Sequence, residues 1–252
     1  MCELDPIRVN YVREFIKLSL WYVDKMVREE GMSFADAVNK HANIYRYTSL
    51  YDGEHNPATS DVGPPWQAML CRLEEIYDSH RGDRTTSGFE EEALCFLWPY
   101  LEERARSEGN PVDALKREDR PYECWSYGYR EDQLNIHIDN LYQPESPLSG
   151  MIVQFVASLI RMLQDSRSRR PEIETVRCST WMNTEPRFQS LFPRSWVENA
   201  GPKREVRHTY GHWGQFMDRR GDFHARNAKI LRETGGLAVS EQGVHRSAPG
   251  HP

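Results

Sequence analysis

Apolar residues recur at helical spacing through most of the first 110 positions. In "YVREFIKLSLWYVDKMVREEG", Val12, Phe15, Ile16, Leu20, Val23 and Val27 share one face and Gly31 supplies a stop. Ser33 predicts the start of a short helix in "SFADAVNKHANIYRY". "DGEHNPATSDVGPP" is dense in Gly, Pro, Asn and Asp and predicts a loop. "WQAMLCRLEEIYDSH" and "FEEEALCFLWPYLEERARSEG" predict two more amphipathic helices, the second kinked or shortened by Pro99.

Near residue 121 the pattern changes to alternation. "YECWSYGY" and "LNIHIDN" predict two strands joined by the turn Arg130-Glu131-Asp132. Ser146-Pro147 predicts a helix start, and Leu148, Ile152, Phe155, Leu159 and Leu163 one helical face reaching Asp165. "IETVRCSTW" reads as a strand, "PRFQSLFPRSW" as a short helix and "REVRHTY" as another strand. "GDFHARNAKILRETGG" predicts a last helix, capped by Asp222 and closed by Gly235 or Gly236. The expected fold is α/β of the α+β kind. A helical N-terminal region (1–120) precedes a ββαβαβα core around a mixed sheet (121–236), and a disordered tail follows (237–252).

Composition narrows the classes. A 252-residue chain with 38% hydrophobic and 28% charged residues has ample material for a core. No apolar run is long enough to span a membrane, and "MCELDPIRVN" lacks the layout of a secretory signal. Five scattered cysteines without a C-x-x-C argue against a disulfide framework or structural zinc, so a reducing, cytoplasmic setting is expected. Net charge is −6 but unevenly spread: residues 161–232 hold 15 Lys/Arg against 8 Asp/Glu, and residues 1–160 hold 16 against 28. That asymmetry points either to an anionic partner for the C-terminal part or to two regions that neutralise each other.

Chemistry concentrates in "NIHIDN", where alternation puts His137 and Asp139 on one strand face and Asn140 follows. A strand-borne histidine beside a carboxylate suits a general base, with Asp139 fixing its tautomer and Asn140 binding substrate. A polar, solvated strand face is the plainer alternative. If "STWMN" lies alongside, Ser179, Trp181 and Asn183 would gather near His137 as substrate contacts. "HTYGHWGQFMDRRGDFH" offers His212 and Gln215 for substrate, and Lys203, Arg204, Arg207, Arg219 and Arg220 form a basic set for phosphates or tRNA. His137, Asp139 and His208, with Arg219 eleven residues on, weakly resemble the iron and cosubstrate ligands of iron/2-oxoglutarate oxygenases. The helix expected between the two histidines counts against the jelly-roll fold of that family, and no metal is expected. Nucleotide-binding, serine-hydrolase and zinc-protease motifs are absent from the sequence.

The strand-strand-helix-strand-helix-strand order over 121–210 resembles the C-terminal half of GNAT-type acyltransferases. That resemblance places "LNIHIDN" on the central strand before the donor helix and "IETVRCSTWMN" on the next. It implies that two splayed central strands hold an activated acyl donor beside an acceptor. Where the family carries its Q/R-x-x-G-x-G/A pyrophosphate loop, this sequence has "QPESPLSG" at 143–150. The departure turns attention from coenzyme A to aminoacyl-tRNA. The expectation is a transferase joining a small-molecule or amino-acid substrate to an acyl or aminoacyl group, in specialised biosynthesis such as dipeptide formation. A non-catalytic RNA- or ligand-binding protein is the alternative from another class.

Overall fold

Asp5 and Pro6 set the start of helix α1, Pro6–Glu30. The Asp5 carboxylate accepts a hydrogen bond from the Ile7 amide at 3.0 Å, and the missing N–H of Pro6 is harmless in a first turn. Gly31 ends the helix in the left-handed conformation, φ 67°, where a side chain would be strained. The computed structural model describes residues 4–42, 44–108, 119–203, 213–238 and 242–247, and the chain divides into two compact units. One takes the described residues within Met1–Asn110, Val206–Met217 and Asp222–Lys229; the other those within Pro111–Glu205, Asp218–Gly221 and Ile230–Pro252.

The first unit is helical. After α1 come a short turn at Phe34–Asp36 that runs into a π-helical turn at Ala37–His41, then α2, Pro64–Ser79, and α3, Ser87–Glu108. Tyr11, Phe15, Ile16, Leu20 and Val23 of α1 are buried, and Trp213 lies edge-on to Phe15 and Tyr22 at 5.7 and 5.5 Å. Trp66 is fully buried and donates its Nε1 proton to Asn39 Oδ1 at 2.9 Å. Pro99 does not shorten α3, which continues to Glu108. An interior proline costs about 3 kcal/mol, and burial of Leu97, Leu101 and Ala105 offsets it.

The second unit holds a mixed five-stranded sheet: β1, Trp125–Arg130; β2, Gln133–Ile138; β3, Thr175–Thr180; β4, Ala200–Lys203; and β5, Gln242–Ser247. The strand order is β1-β2-β3-β5-β4. Only the β2–β3 pair is parallel, and the crossover between them is α4, Ile152–Arg169. Two short helices, α5 (Pro186–Gln189) and α6 (Arg194–Glu198), follow β3, and α7 (Ala225–Thr234) precedes β5.

Alternation decides the faces. Trp125, Tyr127 and Tyr129 stand opposite Ile138, Ile136 and Leu134, and Leu134 and Ile136 stand beside Val176 and Cys178. This apolar face packs on Phe155, Leu159 and Met162 of α4 and on Met182, Phe188 and Trp196 beyond β3. Trp125 stacks on Phe155 with ring centroids 4.5 Å apart and donates its Nε1 proton to the Phe155 carbonyl at 2.9 Å.

Three expectations change. The helix after Pro147 begins only at Ile152, because Ser146 Oγ takes the Leu148 amide into a local turn and Ser149-Gly150 are poor helix formers. The stretch expected as a disordered tail contributes β5, which lies between β3 and β4. Residues 213–217 and 222–229 group with the helical unit rather than with the sheet. The expected strand "REVRHTY" lies outside the described residues.

Phe155→Ala is expected to lower the unfolding free energy by about 3–5 kcal/mol, read from urea denaturation. A second expectation concerns His80, whose ring nitrogens each lie 2.8 Å from a carboxylate, Asp83 and Glu92. Hydrogen bonds donated to these two carboxylates, Asp83 first, raise its pKa above the ordinary value of 6.5. The stabilisation is complete below about pH 6.5 and fades as pH rises through the raised value. His80→Gln should flatten the pH dependence of stability across that window.

Candidate functional site

The β2–β3 ladder runs from Gln133↔Thr175 to Ile136↔Cys178, yet both strands continue two residues further, to Ile138 and Thr180. Over those last residues each strand stays paired on its other side. His137 and Ile138 are held by Ser126 and Trp125 of β1, and Ser179 and Thr180 by Gly243 and Gln242 of β5. The two parallel strands therefore part at their carboxyl ends. His137 and Ser179 are both exposed and stand on the two sides of the opening, on the sheet face away from α4. β2 is thus an interior strand, not an edge, although the His137 imidazole makes no hydrogen bond with another described residue.

Asp139 does not orient His137. Its carboxylate accepts a hydrogen bond from Arg120 Nη1 at 2.9 Å, and its amide donates to the Cys124 carbonyl at 2.9 Å. This pair fastens the chain just before β1 to the chain just after β2. Asn140 is spent on the loop that follows. Its Oδ1 accepts from the Tyr142 amide at 3.1 Å and its Nδ2 donates to the Glu145 carbonyl at 3.2 Å.

Beneath that loop, the Tyr142 hydroxyl donates to Glu123 Oε2, and Arg161 Nη2 donates to Glu123 Oε1 at 3.1 Å. Glu123 adopts φ 55°, and the two bonds hold it there. Burial and this carboxylate push the Tyr142 phenol up, so it stays protonated. The Cys124 thiol is pushed up to about 11 by burial, which makes it a poor nucleophile.

The other expected contacts divide. Trp181 opens a 3₁₀ turn, Trp181–Thr184, and its half-buried ring packs against the core. Asn183 is buried and satisfied at both ends: Nδ2 donates to the Cys178 carbonyl at 3.1 Å, and Oδ1 accepts from Trp196 Nε1 at 3.3 Å. It locks the turn after β3 rather than facing a ligand. Gln215 is buried in the helical unit, where its carbonyl accepts from Asn227 Nδ2 at 3.0 Å. The expected cleft combined Gln215 with His137 and Asn183; Asn183 is engaged within its own unit, and Gln215 is buried in the helical one. Arg219 and Arg220 are exposed in the Asp218–Gly221 turn. Lys203 ends β4 opposite Gln242, and Arg204, Arg207, His208 and His212 lie outside the described residues.

Among the described residues no group of three His, Cys, Asp or Glu side chains could hold a metal ion, and no helix is long and apolar enough to cross a membrane. Asp139, one of the three alternative iron ligands, is engaged with Arg120, and α4 occupies the interval where a jelly roll would need strands.

Sequence reasoning missed Arg120, which carries no pattern of its own. It also gave no role to Arg130 and Arg177, which alternation from Trp125 and Cys178 places on the same sheet face as His137, Arg177 together with Ser179. Comparison with protein-family models, curated proteins and solved structures finds no match.

Asn183→Ala leaves the Trp196 indole N–H without its acceptor and is expected to cost about 1–3 kcal/mol of stability in urea unfolding. A substrate contact would instead leave stability unchanged.

Proposed function

We propose that the chain is a transferase that forms an amide or ester bond from an activated acyl or aminoacyl donor, with His137 as general base. The observation that carries this reading is the parting of β2 and β3 beyond Ile136↔Cys178, with His137 and Ser179 at its two sides. Two parallel central strands joined by a helix within a mixed sheet agree with the coarse architecture that a GNAT-like resemblance implies. Such an opening suits an extended donor, because backbone groups freed from the ladder can hydrogen-bond a ligand between the strands.

In this reading the acceptor amine or hydroxyl gives its proton to the His137 imidazole as its lone pair attacks the donor carbonyl. The tetrahedral oxyanion draws on backbone N–H groups at the parted ends. Collapse breaks the bond to the leaving group, and the imidazolium returns the proton to it. Ser179 positions the acceptor. The Arg120–Asp139 ion pair keeps the end of β2 in place, so Asp139 acts as a positioning residue. Arg219 and Arg220 stand exposed for the donor's phosphates.

His137→Ala is expected to lower product formation by about 10²–10⁴-fold with the fold intact. The measurement compares small molecules accumulated by a host expressing either form, by mass spectrometry. Equal accumulation from both would overturn the base assignment.

A further inference from the structure

The sheet face that carries His137 is polar throughout β1, β2 and β3. Ser126 pairs with His137, Gly128 with Asn135 and Arg130 with Gln133, while Thr175 and Arg177 stand beside Gln133 and Asn135 on β3. None of these positions, nor Ser179, is a carboxylate or an apolar side chain, in a chain whose Asp and Glu outnumber Lys and Arg 38 to 32. Arg130 is exposed and Arg177 half-buried, and neither guanidinium has a hydrogen bond or ion pair with another described residue. Of the nearby carboxylates, Glu131, Asp132 and Glu174 lie beyond the strand ends farthest from His137, and Asp139, two residues past His137, is paired with Arg120. Gly128 is exposed with open space where its Cβ would stand, so the face is shallow next to Asn135.

We infer that this open face binds the sugar–phosphate backbone of an RNA. Charge complementarity selects an anion, and a half-buried arginine without a carboxylate favours one strongly. The two guanidiniums start two strands apart and about one residue pair out of line, roughly 10 Å across and 7 Å along the sheet. That spread suits two separate phosphates of one strand better than one small anion. Asn135, Gln133, Ser126 and Thr175 can donate to and accept from ribose hydroxyls. Apart from the His137 imidazole, the β1, β2 and β3 positions of the face offer no aromatic ring for stacking bases, so binding reads mainly the backbone and depends steeply on salt. A lipid surface or an acidic protein partner would call for apolar anchors, which this face lacks. The inference rests on the transferase reading in one respect: it makes the RNA the carrier of the donor and delivers it toward His137.

The test is polarisation of fluorescein-labelled, unacylated tRNA against the full chain, titrated from 50 to 400 mM KCl. Wild type is expected to bind, with affinity falling linearly in log[salt]. The doubly substituted Arg130→Gln, Arg177→Gln protein should bind about tenfold more weakly at the lowest salt and lose roughly 1.5 from the log–log slope, the share of two phosphate contacts. Arg130→Lys, Arg177→Lys should retain most of the binding and shows that the face still folds. Arg194→Gln, on the 92% exposed side chain of α6, should leave binding unchanged. No binding at 50 mM KCl overturns the inference, as does wild-type affinity in the double Gln protein or an equal loss in Arg194→Gln. Product made without any tRNA binding overturns this inference alone. Normal tRNA binding with product unaffected by His137→Ala overturns the base assignment alone.

Discussion

The second unit depends on a stack of two rings. Trp125 opens β1 and Phe155 lies in the first turn of α4, and they meet both face to face and through an indole–carbonyl hydrogen bond. The stack fixes the helix against the sheet at the end where β2 and β3 part, and Phe188 continues it at 6.3 Å from Trp125. Burial of aromatic rings supplies the largest apolar areas available to a small core, and the hydrogen bond adds a fixed orientation. Once α4 is held there, the apolar faces of β1, β2 and β3 are covered and their polar faces turn the other way.

Around that stack, polar groups tie the chain at the strand ends. Arg120 with Asp139, Tyr142 with Glu123, and Asn183 between Cys178 and Trp196 all lie at or beyond the carboxyl ends of β2 and β3 or against the loops that follow them. Tyr122 donates to Asp165 at 2.9 Å, and burial with that bond lifts its phenol to about 12. Each of these bonds fixes a loop beside the opening, which is where irregular backbone needs partners that no ladder provides.

Much of the fold was legible in the sequence because the two periods are clear. Val12, Phe15, Ile16, Leu20 and Val23 announce a helix, and the alternation of Leu134, Ile136 and Ile138 announces a strand whose other face carries His137. What was not legible depends on contacts distant in sequence. Nothing local in "QGVHRS" says that it lies between β3 and β4, because its pairing partners are set by the whole sheet. Asn183 read as a ligand contact because amides suit ligands, and only the position of Trp196 shows that its amide is already engaged. Spacing on one face pairs Asp139 with His137, while Arg120, nineteen residues earlier, claims it. Trp213 and Gln215 belonged to a glycine-rich stretch that reads as a binding loop, and burial in the helical unit accounts for both.

The parted ends of β2 and β3 have one more consequence. Each is secured from its outer side, by β1 and by β5, so neither needs the other to remain a strand. The gap is therefore a standing property of the strand order and does not have to be prised open. A molecule entering it meets backbone groups already in place, and the entropy of arranging them was spent when the chain folded. Each strand end is held by the outer strand it pairs with, so residues of β1 and β5 that pair with them bear on what fits there.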